Sequence, residues 1–245
     1  MVDYATGAVR PVKDPRIILR GAPPEIAESG EVEVREVMNV FSENMRPADW
    51  VRLAREVALE MERGGKRVVV AHGTDTMSYT AAALAFMFEG LPSPVVLVGS
   101  QRSPDRPPSS DAPLNVAAAV KFSSLPIGEV GIAMHGSISD ESIVLHRGGV
   151  RSRKMHTSRR DAFRSIGIPP LASLSHGNVS LEGGHARAPS GAVRLNGRLD
   201  ERVSMVYVHP TLQGSDLEAM ADGRRALVLM GGTGLGHCSS TSTTQ

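Results

Sequence analysis

The sequence lacks the means to be several kinds of protein. A single cysteine, Cys238, in 245 residues excludes an internal disulfide framework and a four-cysteine zinc site, and it suits a reducing compartment. Charge of either sign is not in excess: 27 Lys and Arg against 26 Asp and Glu leave a net +1. No global field therefore directs the chain to nucleic acid, a membrane or an acidic substrate. No apolar run is long enough to cross a bilayer. Met1 opens a polar stretch, Val2-Asp3-Tyr4-Ala5-Thr6-Gly7, without the character of a secretory leader, so a cytoplasmic location is expected. No repeat has the period of a solenoid or propeller. The eight histidines form no i, i+4 pair on a helix and have no cysteine partners, so no metal site is expected. The glycine-rich run 231–236 fits neither the dinucleotide nor the Walker spacing and reads as a turn.

What is present is a core-forming composition, 41% hydrophobic and 22% charged, with helical and strand patterns alternating through the middle of the chain. Trp50, Val51, Ala54, Val57, Ala58 and Met61 fall at helical spacing and predict a helix over 47–63, stopped by Gly64-Gly65. The β-branched run Arg67-Val68-Val69-Val70-Ala71 predicts a parallel strand buried on both faces. A helix over 76–88 and a strand over 94–98 then complete a βαβ unit. Residues 100–111, rich in Ser, Pro, Arg and Asp, form a loop from which Asp111 is placed to cap a helix opening at Ala112-Pro113. Further strands are expected near 130–134, 142–145, 203–208 and 226–230. The fold class is α/β, a mostly parallel sheet with helices on both faces. The polar residues 237–245 are expected to form a disordered tail.

In an open parallel sheet ligands bind beyond the carboxyl ends of the strands, and His72-Gly73-Thr74-Asp75-Thr76-Met77 stands there. Gly73 permits a sharp turn, and a hydroxyl and a carboxylate arrive together beside a helix amino terminus. For an arbitrary Thr-Asp-Thr, a helix cap is the commoner role. The longer string, following a valine-rich strand and leading into an alanine-rich helix, resembles the second signature of the asparaginase family, and Arg153-Lys154-Met155-His156-Thr157 resembles that family's lysine stretch. Three further stretches, Val2-Asp3-Tyr4-Ala5-Thr6-Gly7-Ala8-Val9, Phe41-Ser42-Glu43-Asn44-Met45 and Gly99-Ser100-Gln101-Arg102-Ser103, with residues 154–165, are similar to one branch of the family. Members of that branch supply ammonia within a tRNA-dependent amidotransferase.

The resemblance implies an amidohydrolase with Thr74, Asp75, Lys154 and Tyr4 in catalytic roles and Ser42 with Glu43 holding the amino-acid end of the substrate. A lysine suits such a site because an amine beside a hydroxyl can take its proton and return it during amide cleavage. Glutamine or asparagine would be the donor, and a partner subunit would use ATP and magnesium to activate tRNA-bound glutamate. This subunit would need no cofactor, and two copies of each subunit would assemble. The family's first signature, a Thr-Gly-Gly-Thr-like string holding the nucleophile, is not in the sequence, since Met1-Val2-Asp3-Tyr4 matches the residues that follow it. The expected domain is therefore 1–236, lacking its first strand and most of a carboxy-terminal domain, inactive as it stands and poorly soluble. Attack by Thr74 itself is the other route to an acyl-enzyme. A free asparaginase remains an enzymatic alternative. A non-catalytic partner-binding or tRNA-binding scaffold remains another, since Arg147, Arg151, Arg153, Lys154, Arg159, Arg160 and Arg164 could meet phosphates, although no aromatics interleave them.

Overall fold

A computed structural model of the protein describes residues 26, 32–64, 67–184, 188 and 192–230. The chain forms two compact units, residues 1–197 and 198–245. In the first, helix α1 (Pro47–Glu62) follows the expected pattern and buries Leu53, Ala54, Val57, Ala58 and Met61. Pro47 opens it, where the missing N–H has no intrahelical role. The Asp49 carboxylate accepts from the Arg46 backbone N–H at 2.8 Å, and Gly64, at φ +92°, ends the helix.

The βαβ unit is present: β1 (Val68–Ala71), α2 (Met77–Met87), the short β2 (Phe88–Glu89) and then β3 (Val95–Val98), which pairs parallel with β1. After α3 (Ala112–Phe122), β4 (Val130–His135) pairs parallel with β3, and β5 (Ser142–Arg147) pairs antiparallel with β4. A hairpin of β6 (Ser152–Lys154) and β7 (Phe163–Ser165) follows, then β8 (Ala172–Ser175) and β9 (Asn178–Leu181). The six-stranded sheet runs β1-β3-β4-β5-β8-β9, and the short β10 (Arg194–Leu195) pairs with β2. In the second unit β11 (Val203–Tyr207) and β12 (Ala226–Met230) lie parallel, with α4 (Gly214–Ala221) between them in sequence.

Successive side chains of a strand face opposite sides, and β3 and β4 fill both. Val95, Leu97, Ile132 and Met134 join the cluster containing α1 and α2, whereas Val96, Val98 and Ala133 join the one containing α3. Helices thus cover both faces, as expected of the α/β class. Three findings differ from the sequence reading. β1 is only half-buried, with Ala71 exposed, because among the described residues it has one neighbour in the sheet and stands at its margin. β5, β8 and β9 form an antiparallel extension, of which the sequence pattern marks only β5. Asp111 does stand before α3 but does not cap it. Its backbone is in the right-handed helical region rather than extended, and the Ser110 hydroxyl accepts from the Ala112 N–H instead.

Leu97, fully buried in the middle of the sheet, should lose about 2–5 kcal/mol of stability on replacement by alanine. Phe86→Ala, at a side chain 72% exposed, should stay within about 0.5 kcal/mol of the parent. Urea unfolding of both variants checks the pair, and equal losses would contradict this placement of the core.

Candidate active site

Strands β1 and β3 end side by side, and the His72 N–H donates to Val98 O at 2.9 Å, carrying the pairing one residue beyond β1. The backbone then turns through 73–76 into α2. Two glycines allow the close approaches made here. A Cβ on Gly73 would lie 2.8 Å from Ser42 Oγ, and one on Gly99 would lie 2.7 Å from His72 O and 2.9 Å from Thr74 Cγ2. The short helical turn Ser42–Asn44 is therefore docked on the 72–76 turn. The Thr76 hydroxyl fastens it by donating to Ser42 O at 2.6 Å.

Lys154 reaches the same place from β6, which lies against α2. Its ammonium donates to Thr74 Oγ1 at 2.8 Å and to Asp75 Oδ1 at 2.6 Å. Only 14% of the Lys154 side chain is exposed, against 63% for Asp75, so the pair is shielded on the lysine side and open to water on the other. Thr74, Asp75 and Lys154 come together, Ser42 lies buried against Gly73, and Glu43 is exposed in the same turn as Ser42. Tyr4 and the glycine-rich run 231–236 lie outside the described residues. Among the described residues no group of three or more His, Cys, Asp or Glu side chains could hold a metal ion.

Two hydrogen-bonded chains beside the turn escaped the sequence reading. In the first, Trp50 Nε1 donates to Thr80 Oγ1 at 3.0 Å, and Thr80 Oγ1 is 2.8 Å from His72 Nε2. His72 Nδ1 is 2.6 Å from Gly73 O. A carbonyl can only accept, so Nδ1 carries the proton and Nε2 accepts from Thr80. In the second, the Asp111 carboxylate accepts from the Gln101 and Arg102 N–H groups at 3.0 and 2.7 Å. Asn115 Nδ2 donates to Gly99 O and to Asp111 Oδ2, and Asn115 Oδ1 is 2.6 Å from His135 Nδ1. Their members are scattered through the sequence, with no local spacing to announce them. Much of the basic run is already engaged within the chain. Arg147 pairs with Glu129, Arg160 with Asp140, and Arg159 and Arg164 with Asp161.

Residues 1–187 match the family model described as asparaginase, N-terminal. Among curated proteins, a glutamyl-tRNA(Gln) amidotransferase subunit from Thermoplasma volcanium is 53% identical over 236 residues, covering 96% of this chain and 56% of that protein. Its counterpart from Pyrococcus horikoshii is 45% identical over 239 residues, covering 96% and 54%. The chain thus spans about half the length of the curated relatives it matches. Among solved structures, the thermostable L-asparaginase from Thermococcus kodakarensis superposes with a TM-score of 0.72 at 32% identity, over 82% of this chain and 58% of that one. The probable cytoplasmic L-asparaginase from Campylobacter jejuni gives 0.73 at 27% identity, over 93% and 71%.

Burial shifts three histidines of this unit toward the neutral form. Loss of hydration on burial lowers His72 and His135 below the ordinary imidazole value and pushes His146 down to about 4, with Arg164 adding to the effect at His146. Asp161, hydrogen-bonded by Arg159 and Arg164, is held at about 2. A histidine depressed in the folded state binds its proton more readily when unfolded. Its contribution is therefore complete above the unfolded value near 6.5 and is lost as pH falls toward the folded value. Stability should decline from pH 6.5 to about 4, with His146 alone contributing on the order of 3 kcal/mol. The Asp161 contribution is lost in a separate window, between about 3.8 and 2. Urea midpoints measured from pH 8 to 4 check the first window, and a profile flat down to pH 4.5 would contradict it.

Proposed function

We infer, because the chain belongs to the asparaginase family, that Thr74, Asp75 and Lys154 form the proton-relay part of an amide-hydrolysing site. One observation carries the reading: a lysine 80 residues away in sequence places its Nζ on the Thr74 hydroxyl and the Asp75 carboxylate together. With the amine neutral, the Thr74–Lys154 hydrogen bond reverses. Thr74 gives its proton to Nζ while taking one from the attacking hydroxyl or water, and the Asp75 carboxylate steadies the ammonium that results. As the tetrahedral intermediate collapses, the proton returns along the same route to the departing nitrogen, which leaves as ammonia. Backbone N–H groups of the turn steady the oxyanion. Ser42 and Glu43 hold the amino-acid end of the substrate, and Tyr4 serves beside the nucleophile. The acyl acceptor is a threonine additional to these three, supplied by a Thr-Gly-Gly-Thr-like stretch.

The substrate is the side-chain amide of glutamine or asparagine, and the protein is the ammonia-producing subunit of a glutamyl-tRNA(Gln) amidotransferase. The relatives carrying that name, 53% and 45% identical over nearly all of this chain, support this choice. The partner subunit uses ATP and magnesium to activate tRNA-bound glutamate, this subunit needs no cofactor, and two copies of each assemble. The complex works in the cytoplasm. The likeness to solved L-asparaginases favours a second reading, a free asparaginase.

Ammonia release is the test, measured on the protein that joins these residues to the acyl-accepting threonine. Lys154→Met should lower kcat by roughly 10³-fold or more with a smaller change in KM, as expected when one member of a concerted set is removed. A Lys154→Met variant as fast as the parent would contradict the relay. Stimulation by the partner and glutamyl-tRNA supports the subunit reading, and full turnover of asparagine without them supports the free enzyme.

A further inference from the structure

Beside the site lies a buried polar chain that the reaction just described leaves unused, and its hydrogen bonding is decided by donor and acceptor logic. Asn115 Nδ2 donates to Gly99 O at 3.0 Å and to Asp111 Oδ2 at 3.1 Å, which fixes the orientation of the amide. Its Oδ1 therefore faces His135 Nδ1, 2.6 Å away, and Nδ1 must carry a hydrogen. On the other side of this fully buried ring, Nε2 lies 3.2 Å from Asp140 Oδ1. An ionised carboxylate only accepts, so this contact is a hydrogen bond only when Nε2 is protonated as well. The imidazolium completes the chain, and the neutral ring sets two lone pairs against each other.

The two ends of the chain matter for the site. Gly99 presses on Thr74 so closely that an added Cβ would lie 2.9 Å from Thr74 Cγ2. Asp140 is ion-paired with Arg160, and Arg160 Nη2 also donates to Ser109 O at 3.2 Å. Arg160 belongs to the β6–β7 hairpin, whose first strand carries Lys154 and whose loop is closed by the Met155 N–H on Ala162 O at 2.7 Å. We propose that His135 is a positioning residue of the amide-hydrolysing site. When doubly protonated it latches the Gly99 loop beside Thr74 to the hairpin that carries Lys154. The proposal rests on the proton-relay reading of Thr74 and Lys154.

The charged groups facing His135 come from three elements. Asp111 before α3 and Asp140 after β4 favour the cation, while Arg160 of the hairpin opposes it. Burial opposes it most, so the latch closes below the ordinary histidine range.

Nitrogen-15 NMR of histidine-labelled protein reads the latch without any turnover. Nδ1 of His135 should stay protonated throughout while Nε2 titrates. Asp140→Asn should lower the midpoint by about 0.5–1 pH unit, allowing for the solvent exposure of that carboxylate. A neutral form protonated on Nε2, or a midpoint indifferent to Asp140→Asn, would overturn the latch. In ammonia release, parental kcat should show a step at the NMR midpoint. His135→Gln should remove that step and, on its acid side where the parental latch is closed, lower kcat by about 10-fold with KM within about 2-fold, the split expected of lost positioning. A step that persists in His135→Gln overturns the positioning role. Titration as described, with no ammonia release at any pH from the protein that joins these residues to the acyl-accepting threonine, supports the latch and overturns the hydrolytic reading instead.

Discussion

The contact of Lys154 with Thr74 and Asp75 is the constraint around which the first unit is arranged. It joins a turn at the carboxyl end of a parallel strand to a short, charge-rich strand about 80 residues later. An ammonium held among partly buried side chains needs its N–H groups engaged, because desolvating a charge without compensation costs several kcal/mol. Asp75 supplies the opposite charge from the solvent side, and Thr74 a hydroxyl from the sheltered side. The backbone must bring three elements within ångströms of one another for this to happen. Gly73 and Gly99 provide the closeness, since at either position a Cβ would meet neighbouring atoms within 3 Å.

Rigidity behind the site comes from the apolar sheet and from polar groups embedded in it. Strands β3 and β4 are buried on both faces, so their ends can move little without disturbing two hydrophobic clusters at once. Asp111 and Asn115, both fully buried, tie the loop after β3 to the start of α3 by three hydrogen bonds, and a fourth joins the two side chains. Buried polar networks of this kind specify one arrangement when every member is satisfied. The first chain, Trp50–Thr80–His72, meets that condition with neutral His72. The second meets it only with charged His135, and that difference separates a scaffold element from a proton-sensitive one.

Much of this was legible in the sequence, for identifiable reasons. Long periodic segments such as 47–62 and uninterrupted β-branched runs such as 95–98 declare themselves because the hydrophobic pattern is the physical cause of the element. Thr74 and Asp75 were singled out by their place after a strand-like run together with the family resemblance of the string around them, and Lys154 by the resemblance alone. Strands β6 to β9 were not found, since Ser152-Arg153-Lys154 has no apolar residue and the alternation in Ala172-Ser173-Leu174-Ser175 and Asn178-Val179-Ser180-Leu181 spans only four residues each. Asp111 was read as a helix cap because local sequence cannot show that backbone N–H groups nine and ten residues earlier would claim its carboxylate. The Asn115–His135–Asp140–Arg160 chain was invisible for the same reason.

The proposed relay requires Thr74 and Lys154 to act as one unit rather than as neighbours with separate effects. A double-mutant cycle with Thr74→Val and Lys154→Met, read as kcat for ammonia release, measures that directly. If the relay is real, the double variant is scarcely slower than the worse single variant, since either change already interrupts proton transfer. Losses that multiply, each variant slowing the reaction independently of the other, would contradict it.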